Sequence, residues 1–401
     1  MRRLISPDPS TPRLAAACQY VLYFGVMGMH LPYFNLYCYH LGFTGVQIGS
    51  LSALRSLAMV VFPIAWGVLA DRTRGRRPLY ILCTCASAAI WSLFLTAETF
   101  PAMAAITAAY GVFYAPIISF LEAVTIEVLG AAKQRYGRVR LWGSLSFIAV
   151  VLLFGPVTER FSVRVIIPSI LAGSLLLAAM SVTVPRDRAG GQRPHWASAG
   201  AFLQARPLVF LFCGFLMLAG HGAYYGFFSI HLERLGCSTA FIGSAWALAS
   251  GAEIVAMLAS AAIFERFALE RVLLASMAAA VLRWAVLGWV ASPAVILASQ
   301  LLHALTYGTF HMASILYMDR LSPPEGKNLG QAANSALSYG LGLMSGFLVS
   351  GYVYARAGSF AAFQVCGMLA LAGTLVWAAA AARERRGGGA VSPAAGSRPG
   401  G

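Results

Sequence analysis

The chain has few charged residues. Of its 401 residues only 11% are Asp, Glu, Lys or Arg, against roughly 25% in soluble domains. Hydrophobic residues make up 59% of the sequence. A soluble domain of this composition would expose too much apolar surface, which excludes soluble enzymes, zinc fingers and disulfide scaffolds. Apolar stretches of about 20 residues recur instead, the length that crosses a bilayer as a helix. The sequence therefore predicts an integral membrane protein, with the lipid bilayer as its surroundings.

Other signals are missing as well. The seven cysteines lie in or beside apolar stretches, without the spacing of a metal site or a disulfide framework. The stretches do not alternate between polar and apolar residues, which argues against a transmembrane β-barrel. The motifs HExxH and GxSxG and the phosphate-binding pattern GxxxxGK[ST] are absent. We therefore expect neither an enzyme nor an ATP-driven machine, and no metal or organic cofactor.

Loop signals divide the chain into twelve apolar segments, six on each side of a central stretch rich in Pro, Gly and Arg. The predicted segments are 14–38, 46–70, 78–97, 101–130, 139–158, 164–184, 207–232, 239–264, 270–291, 293–318, 328–354 and 359–382. The predicted fold is an all-α membrane protein with twelve transmembrane helices in two six-helix parallel repeats. The predicted domains are an N-terminal bundle over 1–184, a central cytoplasmic loop over 185–206, a C-terminal bundle over 207–386 and a disordered tail over 387–401.

Lys and Arg are unevenly distributed over the predicted loops. If the N-terminus lies in the cytoplasm, the opposite side holds only Arg160, Arg164, Arg234 and Arg356, and most other basic residues are cytoplasmic. The positive-inside rule then predicts a multi-pass protein of the inner (plasma) membrane with both termini cytoplasmic. Because the net charge of +15 lies in short loops, we do not expect nucleic acid as a partner. We expect the protein to function as a monomer.

A shift of 194 residues superimposes the first two segments of each half. The matching positions are Leu41-Gly42 with Leu235-Gly236, Ile48-Gly49-Ser50 with Ile242-Gly243-Ser244, Gly28 with Gly222, and Asp71-Arg72 with Glu265-Arg266. Glycines, charges and loop positions coincide, so we interpret the match as a parallel repeat. Transporters built in this way rock their halves around a site at the membrane midplane.

The loop after the second segment reads GVLADRTRGRR over 67–77. It resembles the major facilitator signature GxxxDRxGRR, with one extra residue between the Arg and the Gly. A carboxylate at this helix end can pair with an Arg and hold a cytoplasmic gate. Asp71 and Arg72 are therefore candidate gating residues, and a merely basic loop is the alternative.

Ionisable residues also fall inside the apolar segments, where an unpaired charge is costly. Glu122 and Arg140 belong to one hairpin, so they can face each other and bind hydroxyls or a substrate carboxylate. An ion pair that only ties two helices together is the alternative. Arg55 lies in the second segment, and the sequence gives it no role.

In the second half, Glu253, Arg283, His303 and His221 lie on four segments at similar depth, about 18–24 Å from the cytoplasmic helix ends at 1.5 Å per residue. This placement predicts a shared wet cavity for proton coupling, with Glu253 as the best single proton carrier. We expect His303 beside Arg283 to be neutral and to orient Glu253 or the substrate. A neutral structural glutamate and packed histidines are the alternatives.

Beyond the signature, the chain resembles the lactose-permease-like proton symporters, and most closely the phenylpropionic-acid transporter group, over essentially all twelve segments. The matching runs are MGMHLPYF over 27–34, YGRVRLWGS over 136–144, HGAYYGF over 221–227 and LRW over 282–284. His30, Tyr224 and Tyr225 lie in these runs and are predicted to bind substrate. Tyr307 and Asn334, on polar faces of the tenth and eleventh segments, are predicted to do the same, although such faces also tie helices together.

The resemblance gives the site residues roles. In lactose permease a Glu and an Arg eighteen residues apart bind sugar, and Glu122 and Arg140 have that spacing. Arg283 and His303 have the twenty-residue spacing of its coupling network. The proton-carrying Glu of the permease is Thr306 here, and its sugar-stacking Trp is Phe147. Galactoside transport is therefore not expected, and the proton carrier must lie elsewhere.

The leading hypothesis is a secondary active transporter that couples proton symport to uptake of a small organic solute by alternating access. The resemblance implies an aromatic monocarboxylate such as phenylpropionate. A proton symporter of a sugar, nucleoside or cell-wall saccharide is the alternative. A membrane sensor that binds solute without moving it is less favoured, because the longest predicted loop, 185–206, is too short for a soluble domain.

Overall fold

A computed structural model describes residues 10–73, 75–185, 200 and 202–388. The apolar stretches form helices because backbone N–H and C=O groups find no water in a bilayer and must pair within their own segment. We call the six helices of the first half spans 1 to 6. They are Ser10–His40, Gly45–Thr73, Arg76–Trp91, Phe100–Leu129, Tyr136–Phe161 and Ile166–Ser181.

Spans 7 to 12 are less regular. Span 7 consists of Ala205–Ala219 and Gly222–Arg234, span 8 of Thr239–Leu258 and Ser260–Arg266, and span 9 of Leu269–Trp289. Span 10 consists of Pro293–Ser299 and Phe310–Leu321, with a π-turn over Ala304–Thr309 between them. Span 11 begins with Lys327–Asn334 and a π-turn over Ser335–Gly342, and spans 11 and 12 share the helical stretch Leu343–Gly388. The sequence predicted none of these π-turns, which often occur at functional sites.

Spans 11 and 12 form a hairpin that bends at Gly358, whose φ of 80° is in the left-handed region that favours glycine. The Ser350 hydroxyl lies 3.6 Å from Cys366 Sγ, whereas sixteen residues of straight helix would separate them by about 24 Å. In the described residues, ten helices have the length and hydropathy to cross a membrane, and the last, over 324–383, crosses twice. Span 10, interrupted by its turns, completes the twelve transmembrane helices that the sequence predicts.

The repeat seen in the sequence is present in the backbone. Gly42, after span 1, has a φ of 82°, and its counterpart Gly236, after span 7, has a φ of 80°. Both close the turn that leads to the next span, where a side chain would be strained. The two halves therefore share backbone conformation as well as residue type at the matched positions.

The halves meet through equivalent contacts. Span 2 packs on span 11, and span 5 packs on span 8. Spans 2 and 8 are equivalent in the two halves, as are spans 5 and 11, so the two contacts are also equivalent. The matched glycines Gly49 and Gly243 lie in these contacts. A Cβ at Gly49 would lie 2.6 Å from the Phe347 carbonyl oxygen, and one at Gly243 would collide with the Val151 carbonyl. The small residues thus let the two halves approach closely.

We call the side where spans 2 and 3, 4 and 5, 8 and 9, and 10 and 11 are joined the basic side, and the other the opposite side. Of the predicted central loop, 186–199 and 201 lie outside the described residues. The tail beyond 388 lies outside them too. The predicted domain limits therefore stay predictions.

Candidate functional site

A cavity of about 500 Å³ lies between the two halves. Its charged and histidine lining residues are His30, Arg55 and Arg140 from the first half and Glu253 and His303 from the second. Its aromatic lining residues are Tyr23, Phe24, Tyr114, Phe147, Tyr225, Trp246, Tyr307, Tyr339 and Phe347. A few polar groups that converge among aromatic walls are typical of a site for a small organic molecule.

The halves close the cavity on the opposite side. Asn35 Nδ2 of span 1 donates to the Gly226 carbonyl of span 7 at 2.9 Å. Nearer the surface, His40 Nε2 lies 2.8 Å from Glu233 Oε1. Beside the cavity, the Ser56 hydroxyl of span 2 donates to the Gly340 carbonyl of span 11 at 3.2 Å. The described hydrogen bonds between the halves thus lie on the opposite side and beside the cavity.

Arg283 of span 9 is fully buried, and neutral side chains hold it. Its Nη1 donates to His303 Nδ1 at 2.8 Å and to the Thr306 hydroxyl at 3.1 Å, and its Nη2 donates to Gln300 Oε1 at 2.7 Å. The guanidinium also lies 4.1 Å from the centre of the Tyr224 ring, a cation–π contact. These acceptors and the ring replace water at the two terminal nitrogens, whereas Arg283 Nε is buried without a hydrogen-bond partner.

Glu253 and His303 face each other in the cavity wall. Because Arg283 can only donate, His303 Nδ1 must accept, and a neutral ring then carries its proton on Nε2. That nitrogen lies 3.6 Å from Glu253 Oε2. Of the four residues predicted to share a cavity, Glu253 and His303 line it. Arg283 and His221 lie behind the wall, where His221 Nδ1 bonds to the Met217 carbonyl at 2.8 Å.

The predicted substrate-binding residues divide into two groups. His30, Arg140, Tyr225 and Tyr307 line the cavity. Glu122, Tyr224 and Asn334 are not part of its lining. Tyr224 is fully buried against Arg283, and Asn334 accepts a hydrogen bond from the Ser338 hydroxyl at 3.2 Å. Both residues lie on span 11, so this hydrogen bond stays within one span and does not join Asn334 to another helix.

Glu122 and Arg140 lie near each other, as the hairpin predicts, but not in direct contact. No contact within 4.0 Å joins the two among the described ion pairs; the Arg140 guanidinium instead lies 3.8 Å from the centre of the Phe24 ring. Its Nη1 lies 3.5 Å from the Ser144 hydroxyl. Gly143 makes room for this arrangement, because a Cβ there would lie 2.5 Å from the Phe24 ring. The helix spacing brings the two charges near each other, and side-chain packing decides what Arg140 touches.

Arg55, to which the sequence assigned no role, lines the cavity on span 2. Its Nη1 lies 3.1 Å from His30 Nδ1. The His30 ring stacks on Phe34, with 5.0 Å between ring centres, and packs edge-on against Trp91. A charge inside an apolar segment marked Arg55 as unusual in the sequence. Its contact with His30 depends on the tertiary structure.

The predicted gate residues Asp71 and Arg72 lie at the basic-side end of span 2, and both are exposed. Among the described residues, no basic side chain lies within 4.0 Å of the Asp71 carboxylate. One ion pair nearby joins Arg76 of span 3 to Glu127 of span 4 at 3.9 Å. The gating role of Asp71 and Arg72 stays a prediction.

A family model described as the MFS_1 like family matches residues 14–365. The chain belongs to this family, within the major facilitator superfamily. It is a multi-pass membrane protein and a transporter of small solutes, and not an enzyme.

Relatives and solved structures agree with this assignment. The chain is 27% identical over 363 residues to the probable 3-phenylpropionic acid transporter of Escherichia coli (strain K12), covering 88% of this chain and 94% of the relative. It is 26% identical over 375 residues to the maltose permease of Geobacillus stearothermophilus, covering 92% of this chain and 94% of the relative. The solved nucleoside transporter NupG superposes with a TM-score of 0.81 at 18% identity, covering 92% of this chain and 98% of that chain. The structural likeness shows the fold.

Proposed function

We propose that this transporter is a proton-coupled symporter of an aromatic monocarboxylate. Two guanidinium groups, Arg55 and Arg140, line the cavity against one carboxylate, Glu253. The charged lining groups therefore sum to a positive charge whether or not Glu253 carries a proton. Such a lining attracts an anion more than a neutral solute. This charge balance is the observation that supports the proposal most.

The aromatic lining supports the same substrate class. Phe24, Phe147, Tyr225 and Trp246 present ring faces and edges on which a phenyl group can pack. The E. coli relative named for 3-phenylpropionic acid agrees with this class. The relative named for maltose and the solved structure named for nucleosides support the alternative, a neutral sugar or nucleoside.

Proton coupling is assigned to Glu253. It is the carboxylate that lines the described cavity, so it can exchange a proton with cavity water. When it is deprotonated, the Nε2–H of His303 can stabilise its charge, and Arg283 fixes His303 in the orientation that donates. The proton is the coupling ion in this proposal, and no other cofactor is involved.

We further propose that the basic side is the cytoplasmic side of the inner membrane and that the protein works as a monomer. The four loops that define the basic side carry more Lys and Arg than the loops of the opposite side, as the positive-inside rule requires. The bundles over 1–184 and 207–386 then move against each other, and the cavity described here opens to the cytoplasm.

The test is uptake into proteoliposomes with an imposed pH gradient, with radiolabelled 3-phenylpropionate, maltose and uridine compared. Because the protonated acid crosses bilayers by itself, the measured quantity is the initial rate above that of protein-free vesicles. We expect gradient-driven, saturable uptake of the labelled acid. Unlabelled acid should reduce this uptake, and maltose should not. Saturable uptake of maltose or uridine without uptake of the acid would overturn the proposal.

A further inference from the structure

We infer that Arg55, held by His30, is the residue that binds the carboxylate of the substrate. The inference rests on the proposed transport of an aromatic monocarboxylate and locates its anionic group in the first half of the cavity. Nothing in the sequence or in the relatives' names assigns this site.

The donors of Arg55 are largely free. Its contact with His30 Nδ1 at 3.1 Å uses one N–H of a group that has five. Among the described residues, no carboxylate oxygen lies within 4.0 Å of Arg55. None of its nitrogens is among the described polar atoms that are fully buried without a partner. Because Arg55 lines the cavity, its remaining N–H groups are available to a ligand there.

The other two arginines inside the spans are less available. Arg283 is fully buried, and its terminal nitrogens already donate to three neutral side chains. Arg140 lines the cavity, but its guanidinium lies on Phe24, and both Glu122 and Glu253 are near enough to act on it electrostatically. Among the described residues, the ionisable groups that act on Arg55 are Tyr110, Tyr114, Cys38 and His30, and none of them is a carboxylate. Arg55 is half-buried inside a membrane span, where a cation without an anionic partner is costly, and a substrate carboxylate would supply that partner.

His30 fixes the guanidinium for this task. Because its Nδ1 accepts from Arg55, a neutral His30 carries its proton on Nε2 and adds no competing positive charge. The ring is held by stacking on Phe34 and by Trp91. Arg55 is therefore oriented before substrate binds, and its planar fork can take both carboxylate oxygens.

The aromatic residues beside Arg55 suit the rest of such a substrate. Tyr110 stacks on Tyr114 with 4.7 Å between ring centres, and Tyr114 stacks on Tyr23 at 5.4 Å. Tyr114 and Tyr23 line the cavity, so an aromatic wall runs from the guanidinium along the first half. A molecule with a carboxylate at one end and a phenyl ring at the other matches this order of groups.

The test compares binding of 3-phenylpropionate and its neutral amide, 3-phenylpropionamide, to purified full-length protein by isothermal titration calorimetry. We expect the wild-type protein to prefer the acid. In Arg55→Gln the affinity for the acid should fall by about 10- to 100-fold, the factor expected for losing charge-assisted hydrogen bonds. Affinity for the amide should change little, so the preference for the acid is lost. Arg55→Lys keeps the charge without the fork and should retain part of the preference.

The matched variant is Arg140→Gln, in the same cavity. Loss of the acid preference in Arg140→Gln, with the preference kept in Arg55→Gln, would overturn the inference and leave the proposed function intact. A wild-type protein that binds maltose or uridine and neither phenyl compound would instead overturn the proposed function itself. If Arg55→Gln does not give folded protein by size-exclusion chromatography, Arg55→Lys decides: an unchanged acid-to-amide ratio would count against the inference.

Discussion

Arg283 donates from Nη1 to Nδ1 of His303 at 2.8 Å, and this one bond determines where a neutral His303 carries its proton. The proton must lie on Nε2, which faces the Glu253 carboxylate at 3.6 Å. The buried Arg283 thus orients the N–H of a neutral His303 toward Glu253 in the cavity wall. We assign separate roles to the three residues: Glu253 exchanges the proton, His303 turns its N–H toward Glu253, and Arg283 fixes the orientation of His303.

The first prediction concerns the proton carrier. Glu253→Gln keeps the shape and hydrogen bonding of the side chain but cannot release a proton. We expect it to abolish accumulation driven by a pH gradient and to retain exchange of substrate across the membrane. Counterflow and gradient-driven uptake in the same proteoliposomes measure the two activities. Glu265→Gln, on the exposed end of the same span, is the control and should behave as wild type. Normal accumulation by Glu253→Gln would exclude this residue as the carrier.

The second prediction concerns His303. His303→Gln and His303→Asn keep polar groups that can bond to Arg283 and Glu253, so coupled transport should persist at a reduced rate. His303→Leu leaves a buried guanidinium with one acceptor fewer, which costs roughly 1–3 kcal/mol, and removes the N–H that faces Glu253. We expect it to lose coupling. Protein level is measured in parallel, and loss of coupling in well-expressed His303→Gln would make His303 itself the proton carrier.

The third prediction concerns Arg140 and Phe24. Arg140→Lys replaces a planar guanidinium that stacks on a ring with an ammonium that bonds in a different geometry, and affinity for substrate should fall. A double-mutant cycle of Arg140→Gln with Phe24→Leu should give a coupling energy of about 0.5–2 kcal/mol, the range of cation–π contacts. A cycle of Arg140→Gln with Glu122→Gln should give a smaller value, since no direct contact joins that pair. A larger coupling to Glu122 would restore the ion pair as the functional unit.

The fourth prediction concerns closure of the opposite side. Gly243→Val places side-chain atoms against the Val151 carbonyl of span 5, so the halves cannot meet there. The population should shift toward a form open on that side. The measurement is the rate at which an impermeant maleimide, added from that side, labels a cysteine at Ser250 in a protein otherwise free of cysteine. Gly251→Ala, on the same span where a Cβ meets no neighbour, is the control. Equal labelling rates in the two variants would argue against closure at this contact.

The sequence contained enough to predict the helices, because each apolar segment is a local property of about 20 residues. The repeat was also visible, since Gly42 and Gly236 must be glycine to close their turns. The site was predicted in part. Arg283 and His303 do meet, as their spacing suggested, and Glu253 does lie beside them. The π-turn after His303 was not predicted, because its residues do not differ from those of an ordinary apolar helix.

The sequence by itself determined that this chain crosses the membrane twelve times in two repeated halves and which few charges enter the bilayer. Composition and periodicity are local properties of the chain, and they are sufficient to identify the segments that cross the bilayer. Which charges meet was decided only in the tertiary structure. Arg55 lies against His30 and Arg140 on Phe24, rather than on Glu122, because helix rotation and ring packing are fixed by neighbours distant in the sequence.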